Sequence, residues 1–398
     1  MRLLFLTPLF PYPPNSGGLI KTWTLLEFLR ERCQTEVLCF HREELSADQR
    51  GYASRFEGED ALESLPLKRG RGVASLLRSY VCGLPLSVYR NRSREMIQAI
   101  SRKLESGQYD VLFFDHWLMA QYLPPGFHGL SLLHMHNAES LVWERQAALE
   151  QNPALRPILR MEAKRVRNYE RANLPRFDRV LAVSEEDREV LIRLGAAEDR
   201  VAVLPNVPDP ALLELPPLQF SSPPDVLYFG TLSWEPNAQG LQWFLKAVLP
   251  GLKRELPGIR LIVAGGDPPR RLRDAVRRED MVELMAAGDS VDGVYRRARA
   301  FVEPVQGGGG TKLKVLSALA RGLPVVTTSA GAAGIDAVDG EHLLIRDTPE
   351  GIVSALKSLL TDESLWRRLS ENGRRLIAAK YRPQVAYQPL SELLAAVS

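Results

Sequence analysis

Short, nearly continuous apolar runs alternate with helix-patterned stretches twice along this chain, once on each side of a proline-rich segment, and few folds accommodate such a pattern. In the first half the runs are Leu3–Leu6, Glu36–Phe40, Asp110–Asp115, Leu130–His136, Arg179–Ser184 and Val201–Asn206. Between them lie helical spacings such as Leu19, Trp23, Leu26 and Leu29. Apolar runs without polar alternation belong to parallel strands covered on both faces. The segment Pro205–Pro224, "PNVPDPALLELPPLQFSSPP", interrupts the pattern, because proline lacks a ladder donor. The alternation then restarts with Asp225–Gly230, Arg260–Gly265, Val282–Ala286, Ala300–Val305, Pro324–Ser329 and His342–Arg346. The pattern predicts an α/β chain with two Rossmann-like, doubly wound parallel-sheet domains facing a central cleft. The expected boundaries are 1–206 for the first domain, 207–224 for a linker, 225–380 for the second domain and 381–398 for a C-terminal helix. Ligands of open parallel sheets bind beyond the strands' carboxyl ends, which is where functional residues are sought.

Composition narrows the classes. A net charge of +3 over 398 residues, with a pI near 8.7, is too mild to argue for a nucleic-acid partner. Cys33, Cys39 and Cys82 show neither zinc spacing nor an even count, and no H-x-x-x-H or EF-hand pattern suggests a metal. The opening "MRLLFLTPLF" lacks a cleavage site, and no apolar run approaches the roughly 18 residues of a membrane span. A cytoplasmic location is expected. The chain carries no G-x-G-x-x-G, G-x-S-x-G or Walker A, which argues against nicotinamide, flavin, hydrolase and P-loop chemistry.

One stretch, "EPVQGGGGTKLKVLSALARGLPVVTTSAG" (Glu303–Gly331), carries an electrostatic conflict. Leu313, Leu316 and Ala320 recur at helical spacing and Gly322 is a C-terminal stop, so Lys312 and Lys314 stand where a helix begins and its N–H groups are already positive. An anion is expected nearby to offset them. The glycines before them, with Thr311, can bring amide N–H groups close to a phosphate. Gly17–Gly18 opens the first helix in the same manner. Gly230–Thr231 with Asn237, and Gly265, end strands where N–H groups and an amide side chain can hold phosphate or hydroxyls. His116 follows a buried strand. Asn137 and Glu139 follow another and can touch a hydroxylated substrate, although turns and loop polarity explain these residues equally well. His134 and His136 alternate along their strand, where one face is core.

The chain resembles a family 4 glycosyltransferase with the GT-B fold, of the bacterial exopolysaccharide and cell-envelope type. The residues that carry the likeness are "NSGG", "DHWLMAQYL", "RVLAVSEEDREVL", "LPN", "FGTLSWEPN" and "GGGGTKLKVLSALARGLPVVTTSAGAAGI", in that order. The resemblance implies metal-free, retaining transfer of a hexose from a nucleotide-sugar, of GDP-mannose or UDP-glucose type, to a glycan or lipid-linked acceptor. The second domain would hold the donor and the first the acceptor. No cofactor is implied. Lys312 or Lys314, the Gly309, Gly310 and Thr311 amides, Gly17, Gly18 and Thr231 would stabilise the departing diphosphate, and His116 would sit beside the transferring sugar. The family's two glutamates, eight residues apart, fall on Gly309 and Ser317; serine at the second weakens the expected ribose contact. A nucleotide-sugar epimerase and an inactive nucleotide-sugar-binding scaffold are the alternatives. The basic, partly apolar stretch Leu67–Arg94 is either a solvated face or a peripheral contact with the anionic cytoplasmic surface of the inner membrane.

Overall fold

The computed structural model describes all residues except 57–60, 68–71, 151, 267, 286–290, 308–309 and 398. It divides into two compact units, Met1–Pro205 with Tyr387–Ser398, and Asn206–Ala386.

The first unit is built on a parallel sheet of seven strands: β1 Arg2–Thr7, β2 Gln34–His41, β3 Leu62–Pro66, β4 Val111–Asp115, β5 Leu130–His134, β6 Arg179–Ala182 and β7 Val201–Val203, in the order β3-β2-β1-β4-β5-β6-β7. Its central strands are the apolar runs of the sequence. Leu4 pairs with Glu36 on one side and Leu112 on the other, and the Phe5 and Phe113 rings stack 5.2 Å apart. The edge strand β3, "LESLP", is half-exposed throughout and has no apolar run, so nothing in its pattern marks it as a strand. The C-terminal helix Gln388–Ala395 belongs to this unit, where the Tyr387 ring meets Phe28 edge-on.

The second unit holds six parallel strands: β8 Val226–Phe229, β9 Leu261–Ala264, β10 Val282–Met285, β11 Ala300–Glu303, β12 Val325–Thr327 and β13 Leu344–Ile345, in the order β10-β9-β8-β11-β12-β13. The proline-rich stretch that begins this unit has one short helix, Ala211–Glu214. Its carbonyls lack ladder partners, and arginines supply them. Arg374 donates to Leu213 and Leu215, and Arg321, fully buried, donates to Pro216.

In both sheets the strand order reverses beside the first strand, between β1 and β4 and between β8 and β11. Such a switch point leaves a crevice at the strands' carboxyl ends.

The helix Leu313–Arg321 stops as its sequence suggests. Gly322 adopts φ +80°, and its carbonyl accepts from the Ser370 hydroxyl at 2.6 Å. A left-handed conformation disfavours any Cβ by about 1–2 kcal/mol. Gly322→Ala is therefore expected to destabilise the protein by that amount in urea unfolding, with an unchanged m-value.

Candidate functional site

The first unit's crevice lies at the carboxyl ends of β1, β2, β4 and β5. It is a cavity of about 370 Å³ to which Thr7, Gly18, Arg42, His116 and His136 contribute. Beneath it is Asp115, the last residue of β4 and fully buried. One carboxylate oxygen receives the hydroxyls of Thr22 at 2.5 Å and Thr7 at 3.4 Å; the other faces His134 Nδ1 and His136 Nε2, each at 2.8 Å. Burial alone would raise the Asp115 pKa, but the two histidines hold it well below the usual carboxylate range. His136, lowered by burial to about 4 despite Asp115, is neutral near pH 7.

Both histidines are buried, as residues two apart on the core face of a strand should be. β5 ends at His134, so His136 lies in the loop beyond it, and both rings turn inward to one carboxylate. Pattern reasoning missed this cluster. The available signal was an Asp-His pair at the end of one buried strand beside His-x-His at the end of its neighbour. The three ligating atoms lie within 4.8 Å of one another. Both carboxylate oxygens are already engaged, so the cluster is complete as a hydrogen-bond network.

His116 is the single positive-φ residue other than glycine among the described residues, at φ 90° and ψ 139°. Such backbone is costly for a side-chain-bearing residue, and strain of this kind concentrates at functional sites. Its Nδ1 accepts from the Leu118 N–H at 3.3 Å, which leaves the proton on Nε2. Burial, then the neighbouring His136, hold its pKa well below 6.5. His116 is thus a neutral hydrogen-bond donor at the cavity wall, with its ring 4.9 Å from that of His136.

Gly17 begins the helix Gly17–Arg30, whose first turn contains no acid. Asn137 and Glu139 do not line this cavity. Glu139 opens the next helix, where its N–H and that of Ser140 donate to Glu170 at 2.8 and 3.1 Å. Burial, then Glu170, push Glu139 up to about 8; burial pushes Glu170 up to about 7.

In the second unit the switch point is again marked by a buried carboxylate, Glu303, the last residue of β11. Lys314 Nζ lies 2.6 Å from Glu303 Oε2, 2.6 Å from Asn237 Oδ1 and 3.0 Å from the Tyr228 hydroxyl. The anion that Lys314 required is therefore supplied by the chain itself. Its ammonium joins β8, β11, the helix Glu235–Trp243 and the helix Leu313–Arg321. Lys312 is the N-cap of the last of these, and its Nζ donates to Gly310 O at 2.8 Å.

Gly310 has φ +65°, and Asn206 holds the Thr311 carbonyl at 3.1 Å. Gly309 lies outside the described residues. Asn237 also donates to Thr231 O at 2.8 Å, which fixes the turn after Gly230. Gly265, at φ +151°, approaches so closely that a Cβ there would stand 2.0 Å from the Gly230 carbonyl oxygen. The nearest neighbour is main chain, with the Leu232 side chain beside it. Ser317 is buried beside the Tyr295 phenol.

Two doubly wound parallel sheets, one in each unit, are the GT-B architecture. Residues 22–212 match the family model for Glycosyltransferase Family 4, and residues 223–362 match that for Glycosyl transferases group 1. The two models together span most of the chain and mark it as a glycosyltransferase. It is 24% identical over 350 residues to an uncharacterised 44.6 kDa protein of the cps region of Klebsiella pneumoniae, covering 84% of each chain. Its fold is similar to sucrose-phosphate synthase from Thermosynechococcus elongatus (19% identity, TM-score 0.71, all of both chains covered). It is also similar to Anabaena HepE in complex with UDP-glucose (14%, 0.69, all of both chains). A third similar structure is a mutant of S. aureus TarM in complex with Fondaparinux, alpha-GlcNAc-glycerol and UDP (9%, 0.72, all of both chains).

The raised Glu170 has a definite sign. The folded state holds its proton from the ordinary value of 4.5 up to about 7, so its contribution to stability is full below 4.5 and is lost as pH rises through 7. Removing it with Glu170→Gln should make the variant's stability, relative to wild type, climb between about pH 4.5 and 7, by up to about 1.4 kcal/mol per unit. Urea midpoints across that range measure it; a constant difference would show that Glu170 is ionised throughout.

Proposed function

We propose that this glycosyltransferase moves a hexose from a nucleoside-diphosphate sugar to a hydroxyl of a glycan or lipid-linked acceptor in polysaccharide assembly, with retention at the anomeric carbon. The observation that carries the reading is the glycine turn before the helix Leu313–Arg321. Its helix end has no acid in the first turn and has Lys312 as N-cap, an arrangement suited to a diphosphate. A UDP-sugar is the first donor to try, because similar solved structures hold UDP or UDP-glucose. The cps-region relative supports the polysaccharide setting.

In this mechanism the bond from C1 to the diphosphate oxygen breaks as the acceptor oxygen bonds to C1 on the same face. The acceptor's proton passes to the departing diphosphate. Negative charge grows on that leaving group, and Lys312 with the amides of Gly309, Gly310 and Thr311 would stabilise it without a metal. Gly17 and Gly18 would add N–H groups from the first unit. Gly230, Thr231 and Gly265 would contribute the backbone floor for the donor.

Lys314 acts through position: paired with Glu303, it fixes Asn237 and the helix carrying Lys312. His116, neutral and protonated at Nε2, would donate to a hydroxyl of the transferring sugar. Asn137 donates to the Glu139 carboxylate, and an acceptor contact by this pair rests on their place just after β5. Ser317 would make the ribose contact as a hydroxyl. Its burial against Tyr295 favours a second reading, a donor-binding chain with slow turnover.

A thermal-shift series with UDP, UDP-glucose and GDP-mannose tests the donor. UDP is expected to raise the melting temperature, and Lys312→Ala to reduce its affinity about tenfold or more. A shift with GDP-mannose alone would reassign the base. Binding without hydrolysis or transfer, even with acceptor glycans, would select the scaffold reading; isomerised donor would select an epimerase.

No helix among the described residues is long and apolar enough to cross a membrane. The helix Val73–Val81, however, exposes Val73, Leu77 and Val81 at four-residue intervals, 61–89% accessible, with Arg78 beside them. This face supports peripheral contact with an anionic bilayer. Lys68, Arg69 and Arg71 lie outside the described residues. Leu77→Glu with Val81→Glu is expected to abolish sedimentation with phosphatidylglycerol vesicles and leave UDP binding intact. Unaltered sedimentation would remove this contact from the proposal.

A further inference from the structure

The crevice beside His116 has a charge that the transfer reaction does not explain. Two arginines, Arg42 after β2 and Arg90 at the end of the short helix Leu86–Arg90, line it, and no carboxylate does. Among the described residues neither guanidinium forms an ion pair. The Nε of Arg90 and the hydroxyl oxygen of Ser87 are buried without a hydrogen-bond partner, and both residues line the same cavity. The Nε is closed off from the cavity, so an anion there would meet the outer guanidinium nitrogens of Arg90, which no carboxylate neutralises.

The surroundings add to this charge. Arg90 also lines a second hollow, of about 690 Å³, shared with Arg78, Arg92 and Arg94 and again without a carboxylate. Glu95, the nearest acid in sequence, accepts from the Ser93 hydroxyl at 2.6 Å. Arg42 is shared with a neighbouring hollow to which Glu43 and Glu44 contribute, so its charge is partly offset on that side. Asp115, below the cavity, is already committed to four partners.

We infer that the acceptor substrate carries an oxyanion, a phosphate or a carboxylate, which docks on Arg90 and Arg42 beside the hydroxyl that receives the sugar. This rests on the transferase reading and adds the acceptor's charge to it. Arginine suits the role because its planar fork can hold two oxygens of one anion and is always charged. The cavity is large enough for about one sugar ring with its anionic substituent, with His116 and His136 on its wall. A neutral sugar would leave Arg90 unpaired and so bind more weakly.

The test is calorimetric titration of the full chain, held at saturating UDP, with glucose 1-phosphate, methyl glucuronide, farnesyl diphosphate and the neutral methyl glucoside. At least one anionic probe is expected to bind about tenfold or more tightly than methyl glucoside. The preferred probe distinguishes a sugar phosphate, a uronic acid and a lipid diphosphate as the source of the charge. Arg90→Gln and Arg42→Gln should each remove most of that preference with the UDP shift unchanged, and Arg90→Lys should restore part of it. Arg42 is exposed, so its variant carries the test even if Arg90→Gln fails to fold.

Equal binding of charged and neutral sugars overturns the inference. So does an anion displaced by UDP together with loss of UDP affinity in both variants, because the arginines would then serve the donor's diphosphate. Arginine-dependent binding of a charged probe in a protein that gives no UDP shift supports the anion subsite and overturns the transferase reading instead.

Discussion

A carboxylate buried at the end of a strand has to be paired, and this constraint organises both units. Asp115 closes β4 and Glu303 closes β11, each next to the first strand of its sheet and each fully buried. An isolated charge at either place would be prohibitive, so partners from several elements must converge on it. Around Asp115 these are threonines from β1 and the first helix and histidines from β5 and the loop after it. Around Glu303 they are the Val305 N–H and one lysine, itself held by Tyr228 and Asn237. The convergence places His116 at the switch point of the first unit and, separately, Lys312 near that of the second.

Most of the architecture is legible from residue pattern, because central parallel strands are apolar on both faces. The runs at Leu3–Leu6, Asp110–Asp115 and Ala300–Val305 match β1, β4 and β11 to within one or two residues at their ends. β3 is not legible, since an edge strand need not be apolar and "LESLP" is not. The histidine cluster is hidden for a different reason. Positions two apart share a strand face, so His134 and His136 both turn inward, but nothing in their spacing shows that Asp115 of the neighbouring strand is their common partner.

The lysine pair shows how a local rule can be right while its solution remains ambiguous. Two cations at a helix start do require an anion, and sequence alone cannot say whether it comes from a ligand or from the protein. Here Glu303, eleven residues before Lys314, takes one of them through the fold. The other stays at the N-cap, against the Gly310 carbonyl. Spacing along a sequence is a poor guide to such pairings once a strand and a turn intervene, because the turn sets the direction in which the side chains meet.

The close approach of Gly265 to the Gly230 carbonyl has a consequence for how such a chain can diverge. A surface made of main-chain atoms asks nothing of neighbouring side chains beyond room to pass. The residues around it can drift while the two strand ends keep the same shape. Sequence identity can then fall far below the level at which relatedness is visible residue by residue, and the sugar handled can change with it. What cannot drift is the absence of one methyl group.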